Sequence, residues 1–493
     1  MKTTSSTAPK GSTYKGTDRD LFGFILGLLA FWLFAMTMLS TQDNISRDLG
    51  VDVSRLSFAV SITTLVSGLT IVLFGKLADK IGRVKFTRYG FYLAIAGAAV
   101  VAITPPNSSL TMPILILGRV LQGLSGACIM PATLALLTVY WDEQGRQRAV
   151  SLWSMGTWGG TSFATFVGTN IANIAPWGWR LNFVIATILS LVGLRLINGI
   201  PRSVAEVDGQ KHTFDVAGMV IFMVSTLALM LLISYGEMWG IGNPITISLI
   251  CIAILGFAVF IWVEKRKEEP FINLSLFTNG TFTGATISNF VLNGTAGVLA
   301  IAPLLMQQAT ETSNSTIGFL SVGYGVIIVL FIRVGEKLLQ RFGPRKPMLW
   351  GCFILLAAIL IMSPTNIMRE TYMILLAVGY ALFGLGLACY ATPSTDAALS
   401  SLPPLETAGG SGIYKMASSL GAAFGLGLTN TIYLALSRDE EKLNFIQQIF
   451  IGDQTNVHFR QSAMIALLFN VAMILLAIVA IMITIPKGKN AKA

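Results

Sequence analysis

Long apolar runs dominate the sequence, and short polar stretches separate them. Each run covers roughly 18–26 residues, enough for a helix to cross about 30 Å of hydrocarbon. The runs lack the alternation of barrel strands, and lipid-facing backbone must satisfy its own hydrogen bonds, so the pattern predicts helices. We count about fourteen runs by this criterion. They lie near 21–40, 57–75, 87–104, 112–139, 149–171, 180–199, 215–235, 245–264, 281–306, 316–335, 348–363, 372–393, 408–436 and 461–485.

The composition supports the same conclusion. Hydrophobic residues make up 54% of the 493 residues, charged residues only 12%, and the mean hydropathy is +0.70. So little polar surface cannot cover a soluble globule of this size. The fold class predicted is therefore an all-α integral membrane protein whose surroundings are the lipid bilayer.

Basic residues fall unevenly on the two sides of this predicted membrane protein. If the N-terminus is cytoplasmic, that side holds the N-terminal bases, the clusters at 76–88 and 337–346, and the C-terminal lysines. The asymmetry is about three to one, a strong positive-inside signal. We expect a multi-pass protein of the cell membrane with both termini in the cytoplasm. The net charge of +10 reflects this topology, and nucleic acid is not an expected partner.

Cysteine and histidine give little support for catalysis or metal binding. The four cysteines, Cys128, Cys251, Cys352 and Cys389, lie in separate apolar runs without CxxC spacing, as small core residues do. Only two histidines are present, and no GxxxxGK[ST] phosphate loop occurs. We therefore predict no enzyme activity, no cofactor and no metal site.

An internal repeat divides the chain. The stretch GKLADKIGRVKF at 75–86 joins two apolar runs through a glycine and several bases, and GEKLLQRFGPRKP at 335–347 does the same. Gly82 superposes on Gly343 at an offset of about 260 residues, whereas two six-helix halves alone would give about 200. The excess matches two inserted helices. We predict a cytoplasmic tail (1–20), a six-helix bundle (21–200), two linker helices (201–275), a second six-helix bundle (276–486) and a C-terminal tail (487–493).

Four motifs identify a family resemblance. GKLADKIGRVKF resembles the loop between the second and third helices of the major facilitator superfamily, and LILGRVLQGLSGACIMPA resembles its fourth-helix pattern. WGWRLNF at 177–183 and SSLPPLETAGGSGIYKMASSLGAAFG near 400–425 resemble sequences of its fourteen-helix drug:proton antiporter group. The resemblance covers nearly the whole chain. It implies the major facilitator fold with two inserted central helices.

The resemblance implies that the loop around Gly82 latches the two halves together. The residues concerned are Gly75, Asp79, Gly82 and Arg83. A tight turn at Gly82 brings two helix ends together, and Asp79 can face a helix N-terminus or Arg83. The alternative is a positive-inside anchor only, which explains the bases but leaves Asp79 and the glycine spacing unexplained.

Charged residues inside predicted spans are candidates for coupling or substrate binding. Arg119, with Gln122 beside it, is either a buried hydrogen-bond hub or, as the family implies, a group that modulates a nearby acid or contacts substrate. Asp396 and Lys415 flank a short turn almost symmetrically, so antiparallel helices would hold them at similar depth. They form a structural ion pair, or Asp396 exchanges protons, or Lys415 meets an anionic group of the substrate.

The chain departs from the antiporter pattern at two places. The fifth span lacks the expected Gly-Pro pair, and Phe34 stands where related exporters carry a first-span acid. Cation recognition would then need aromatic rings, although each is also explained as packing. Asparagines could line the cavity or join helices. The cavity candidates are Phe34, Trp153, Trp158, Asn289, Asn293, Tyr324 and Tyr390.

These observations favour a secondary active transporter. The leading hypothesis is a single-chain exporter of small amphipathic compounds, driven by exchange with protons through alternating access. The alternative is a carrier for an anionic or zwitterionic metabolite or lipid, which Lys415, Arg119 and the missing acid favour. A membrane receptor or scaffold without transport is a third class, weakened by the lack of a sizeable soluble module.

Overall fold

The structure of the protein is a computed structural model of the 493-residue chain. It describes residues 14–172, 174–175, 177–201, 215–240, 242–267, 270–310, 314–437, 450 and 456–487. Most of the predicted N-terminal tail and nearly all of the C-terminal tail therefore lie outside the described residues.

The described residues form seventeen α-helices. In chain order these are α1 (Asp18–Ser40), α2 (Gln42–Leu49), α3 (Val53–Ile81), α4 (Arg83–Ala102), α5 (Thr111–Tyr140), α6 (Glu143–Ser154), α7 (Gly160–Ala172), α8 (Gly178–Leu196), α9 (Val216–Trp239), α10 (Pro244–Glu264), α11 (Gly280–Gly294), α12 (Ala296–Thr310), α13 (Asn314–Phe342), α14 (Arg345–Met362), α15 (Arg369–Ser400), α16 (Thr407–Ser437) and α17 (Val457–Thr484).

The predicted all-α membrane fold is confirmed. Ten helices in the described residues are long and apolar enough to cross a membrane. The other predicted runs fall on α4, on α13, and on the pairs α6 with α7 and α11 with α12. The count of fourteen crossings stays a prediction.

The run predicted at 149–171 is one helix with an irregular centre. A π-helical segment, Met155–Gly159, joins α6 to α7 without a break in the chain direction. Two of its five residues are glycines, which weaken helical order. Such single π turns inside α-helices are frequent at functional sites.

The repeat seen in the loops extends into helix packing. Gly82 and Gly343 both have positive φ, +119° and +74°, which allows the chain to turn sharply between helices. Gly123 lies so close to α3 that a Cβ there would be 2.7 Å from the Thr63 carbonyl oxygen. Gly384, 261 residues later, repeats this contact on α13, where a Cβ would be 2.5 Å from the Tyr324 carbonyl oxygen. We call α1–α8 the N-terminal half and α11–α17 the C-terminal half.

The helices α9 and α10 lie outside both halves. Leu65 of α3, Met230 of α9 and Leu420 of α16 form one buried cluster, so α9 covers the seam where the two halves meet. The helix α10 packs on α9, and most of its apolar surface is exposed, as expected for a lipid-facing helix. Asp215 caps α9 by accepting a 2.8 Å hydrogen bond from the Gly218 backbone N–H.

Asp215 also ties the two inserted helices together, because its carboxylate forms an ion pair with Lys267 after the end of α10. Burial alone would raise the pKa of Asp215, but the Lys267 ammonium and the Gly218 N–H outweigh it. The pKa of this carboxyl therefore lies below its ordinary value.

Candidate functional site: a closed interface between the two halves

Asp79 joins the N-terminal half to the C-terminal half. Its two carboxylate oxygens accept hydrogen bonds from the backbone N–H groups of Ala408, at 3.1 Å, and Gly409, at 2.7 Å. These groups belong to the first turn of α16, where backbone N–H groups have no partner within the helix. The positive end of the helix dipole adds to the attraction. Asp79 therefore caps a helix of the opposite half.

Arg83 completes this contact. Its Nε donates to an Asp79 carboxylate oxygen at 2.8 Å, and its Nη2 donates to the Pro404 carbonyl oxygen at 2.5 Å. The turn at Gly82 makes the geometry possible, because it places Arg83 at the start of α4 beside the end of α3. The side chains of Arg83 and Asp79 are only 5% and 7% exposed, so water screens the pair weakly.

Gly75 permits the close approach of α3 to α16. A Cβ at this position would be 2.4 Å from the Ala408 carbonyl oxygen, a distance that no side chain tolerates. The structure thus brings all four predicted latch residues to one place, and it sets Asp79 against both a helix N-terminus and Arg83. We call the end of the helix bundle that contains Gly82 the basic face.

An ion pair crosses between the halves near the basic face. Arg146, at the start of α6, donates from Nε to an Asp396 carboxylate oxygen on α15 at 3.0 Å. The Asp396 side chain is 7% exposed and the Arg146 side chain 18% exposed.

The predicted pairing of Asp396 with Lys415 is therefore wrong. Asp396 lies four residues before the end of α15, and Lys415 lies eight residues after the start of α16. At 1.5 Å per residue, their distances from the shared turn are about 6 Å and about 12 Å. The two side chains are thus at different depths, and each contacts the N-terminal half instead of the other.

Two hydroxyl groups add further contacts between the halves. Ser411 of α16 donates to the Pro131 carbonyl oxygen of α5 at 3.1 Å, and Ser151 of α6 donates to the Ile332 carbonyl oxygen of α13 at 3.5 Å. Together with the Asp79, Arg83 and Arg146 contacts, they close the interface toward the basic face.

Lys415 meets the opposite half through an aromatic ring. Its Nζ lies 4.5 Å from the ring centroid of Trp153 on α6, within the range of a cation–π interaction. Trp153 is fully buried, and its Nε1 donates to the Thr133 hydroxyl of α5 at 3.0 Å. This hydrogen bond fixes the orientation of the indole that Lys415 contacts.

Arg119 lies inside the N-terminal half and is fully buried. Its guanidinium donates to the carbonyl oxygens of Phe34, Ala59 and Val60, at 2.9, 3.2 and 3.1 Å, and to Oε1 of Gln122 at 2.9 Å. These contacts join α5 to α1 and α3. Among the described residues no ion pair links Arg119 to a carboxylate.

Phe34 contributes to this hub through its backbone. Its buried ring is stacked with Phe183, with centroids 6.4 Å apart, inside the N-terminal half. The Phe34 side chain therefore packs in the core of the N-terminal half, and its backbone carbonyl accepts a hydrogen bond from Arg119.

The C-terminal half contains a buried chain of hydroxyl and amide groups on α11, α15 and α16. The Tyr390 hydroxyl is 2.7 Å from that of Ser288 and accepts from Ser394 at 3.0 Å, and Ser394 is 2.9 Å from the Tyr414 hydroxyl. The Asn289 amide donates to the Tyr414 carbonyl and the Ser418 hydroxyl, and Asn293 donates to Asn289. The candidates Tyr390, Asn289 and Asn293 therefore belong to one network.

The two halves meet along a second seam, between α7 and α13, in addition to the seam between α3 and α16 that α9 covers. Trp158 and Tyr324 lie on opposite sides of this second seam. Trp158 belongs to the π-helical segment. Its neighbour Gly159 lies so close to α13 that a Cβ added there would be 2.7 Å from the Val329 side chain. The Tyr324 ring packs against that of Phe383, with ring centroids 6.2 Å apart. A Cβ added at its neighbour Gly325 would be 2.1 Å from the Ser162 side chain of α7. The two seams thus use glycines for close approach in the same way.

Sequence reasoning missed Arg146, Thr133 and Tyr414. Arg146 looked like one of many bases on the predicted cytoplasmic side, and nothing local distinguishes it. Thr133 follows Pro131, a proline inside the continuous helix α5, and a proline within a predicted span was a usable signal. Tyr414 adjoins Lys415 in a helix rich in small residues, a composition that marks helix contacts in membranes.

Comparisons with known proteins agree on one family. The model of the Major Facilitator Superfamily matches residues 22–291 and again residues 282–493. The chain is 40% identical over 482 residues to the "Quinolone resistance protein NorB" of Staphylococcus aureus strain MRSA252, with 98% of this chain and 99% of that protein covered.

Solved structures show the same fold. The proton:xylose symporter XylE matches with a TM-score of 0.61 and 16% identity over 95% of this chain and 96% of that one. The human organic anion transporter MFSD10 matches with a TM-score of 0.59 and 14% identity over 94% and 98%.

Proposed function

Because the chain belongs to the major facilitator superfamily, a family of secondary transporters, we propose that it exports small amphipathic compounds from the cell in exchange for protons. Its similarity along almost its whole length to a quinolone resistance protein supports this proposal. We further propose that residues 21–200 and 276–486 are two moving bundles and that residues 201–275 are an inserted linker.

The closed interface at the basic face is the observation that carries the proposal. Six polar contacts join the halves there, through the side chains of Asp79, Arg83, Arg146, Ser411 and Ser151. All of them are hydrogen bonds or ion pairs that a small rotation of the halves would break. Such contacts suit a barrier that must form and release in every cycle of alternating access.

We propose that the basic face is the cytoplasmic side, with both chain termini beyond it, in a multi-pass protein of the cell membrane. The basic clusters of the sequence support this orientation through the positive-inside rule. The structure would then have its cytoplasmic side closed. The protein acts as a single chain in this proposal, since each half supplies the partner of the other.

We propose that Asp396 connects proton binding to this closure. Its carboxylate is nearly buried, and its partner Arg146 belongs to the opposite half. A proton on Asp396 would remove the charge that holds Arg146 and so weaken the closed state. Release of that proton would restore the pair. Asp79 has a similar geometry but accepts two backbone N–H groups in addition to Arg83, which hold its charged form more firmly.

A carrier for an anionic or zwitterionic compound is the second candidate function. Lys415 favours it, because this buried ammonium lies at the interface of the halves and faces an aromatic ring. A receptor or scaffold without transport is not favoured, since the polar contacts that cross between the halves serve a moving interface.

Flux measurement in proteoliposomes tests the proposal. The purified chain is reconstituted, and uptake of several fluoroquinolones is followed with and without an imposed pH gradient. We expect uptake that requires the gradient and collapses when a protonophore is added. Flux that ignores the gradient would contradict proton coupling, and the absence of flux for every compound would contradict export.

A further inference from the structure

Lys415 is a buried cation whose ammonium faces an aromatic ring of the opposite half. Its side chain is 6% exposed, and the ring centroid of Trp153 is 4.5 Å from Nζ. No hydrogen-bond acceptor or carboxylate partner of this ammonium is found among the described residues. The Lys415 hydrogen bond that does exist uses its backbone carbonyl, which accepts from Ser419.

Other buried cations of the described chain have oxygen partners. Arg119 donates to three carbonyls and to Gln122, Arg83 to Asp79 and Pro404, and Arg460 to the Thr365 and Ile367 carbonyls at 3.0 and 3.1 Å. A cation–π contact compensates only part of the cost of burying an ammonium. Within the described part of the chain, Lys415 therefore differs from these groups in having no oxygen acceptor for its ammonium.

The position of Lys415 suits a binding residue. Ser411, one helical turn nearer the basic face, already contacts Pro131 of the opposite half. Lys415 thus lies on the inner side of the closed contacts, toward the middle of the bundle. Because Lys415 belongs to α16 and Trp153 to α6, their contact must change whenever the two halves separate at the basic face.

We propose that Lys415 binds the carboxylate of a substrate that carries both a carboxylate and an aromatic body. The carboxylate accepts hydrogen bonds from the ammonium, and the indole of Trp153, held by Thr133, packs beside the apolar part. This inference rests on the proposed transport function and narrows its substrates to acidic or zwitterionic amphipathic compounds. It also accounts for a chain that has Phe34 where an acid would favour purely cationic compounds.

The test compares one compound with and without its carboxylate. Equilibrium binding of norfloxacin and of norfloxacin methyl ester to the purified protein is measured in detergent for the wild type, Lys415→Met and Lys415→Arg. Lys346→Met is the matched control, because Lys346 also contacts an aromatic ring, that of Phe342 at 5.4 Å, but is exposed. Binding is measured without a gradient, so it does not depend on transport.

We expect Lys415→Met to weaken binding of the acid about tenfold or more while binding of the ester changes less than about twofold. Lys415→Arg should keep most of the affinity for the acid, and Lys346→Met should bind like the wild type. The inference is overturned if the wild type does not prefer the acid, if Lys415→Met binds the acid normally, or if acid and ester are lost together. Failure of flux with preserved, Lys415-dependent binding would contradict the transport proposal and leave this one standing.

Discussion

The Asp79 carboxylate of α3 and the Gly409 backbone N–H of α16 are joined by a 2.7 Å hydrogen bond across 330 residues of sequence. Removal of the charge should weaken the closed state, because charge-assisted hydrogen bonds contribute about 1.5–3 kcal/mol each. We expect Asp79→Asn to lower flux several-fold while membrane insertion and expression stay normal. Proteoliposome flux at equal protein content is the measurement.

Asp43→Asn serves as the control for this variant, since Asp43 is exposed on α2, far along the chain from the latch. It should leave flux unchanged. If Asp79→Asn transports like the wild type, the loop around Gly82 is only a topological anchor.

Gly75→Ala should open the closed interface. The new Cβ would be 2.4 Å from the Ala408 carbonyl oxygen, so α3 and α16 must move apart. We expect a cysteine introduced at buried Ser411 to react faster with a maleimide in the Gly75→Ala protein, and flux to fall. Gly323→Ala on α13 is the control, because a Cβ there meets nothing within 4 Å. Equal reaction rates in the two variants would show that the helices do not need this close approach.

Arg146 and Asp396 should behave as a coupled pair. Arg146→Gln leaves the buried Asp396 carboxylate without this partner, and Asp396→Asn leaves the half-buried Arg146 guanidinium without it. Each should therefore lower the melting temperature in detergent, and the double variant should recover part of the loss. We expect a coupling of about 0.5–3 kcal/mol.

The control is the double variant Asp396→Asn with Lys415→Met. These two residues do not form an ion pair with each other, so their effects on the melting temperature should add. A double variant of Arg146 and Asp396 with full proton-driven flux would limit the pair to architecture. Recovered stability without flux would support proton exchange at Asp396. Additive melting effects for Arg146 and Asp396 would mean that the ion pair contributes no coupling.

Arg119→Ala should reduce both stability and flux. The carbonyls of Phe34, Ala59 and Val60 keep their intrahelical donors in this variant, but they and Oε1 of Gln122 lose their hydrogen bonds to a charged donor. Such bonds contribute about 1.5–3 kcal/mol each. Arg119→Lys should recover little, because one ammonium cannot reproduce the planar arrangement of donors. Thermal melting with flux on the same samples checks this. If Arg119→Ala melts at the wild-type temperature and keeps proton-coupled flux, Arg119 has neither the structural nor the transport role proposed for it.

The topology has its own test. After replacement of the native cysteines, cysteines at Lys80, Arg345 and Ser109 are treated with an impermeant maleimide in intact cells. We expect only the cysteine at Ser109 to react, since bases concentrate on the cytoplasmic side. Labelling of the cysteine at Lys80 would reverse the proposed orientation.

Much of the latch could be predicted from sequence because its residues are local. Asp79, Gly82 and Arg83 lie within five residues of one another, so their mutual geometry follows from helix and turn rules. Gln122 beside Arg119 follows from helical spacing in the same way. The apolar runs also predicted the helices, since length and composition suffice for that.

The pairing of Asp396 could not be predicted. Its partner Arg146 is 250 residues away, and only the docking of the two halves brings them together. The wrong assignment to Lys415 assumed that α15 and α16 enclose their turn symmetrically, whereas α15 continues to Ser400 and α16 begins only at Thr407. A few residues of unequal helix length therefore changed which groups share a depth.

The inserted helix α9 limits what the moving halves can do. Met230 packs between Leu65 and Leu420, and a Cβ at Gly68 would be 2.5 Å from its methyl group. Lipid tails are thereby kept from this line of contact, whereas α7 and α13 meet along the second line without such a cover among the described helices. When α3 and α16 slide past each other, α9 must follow one of them and shear against the other. Substitutions on the face of α9 that packs against α3 and α16 would accordingly change the transport rate without contacting the substrate.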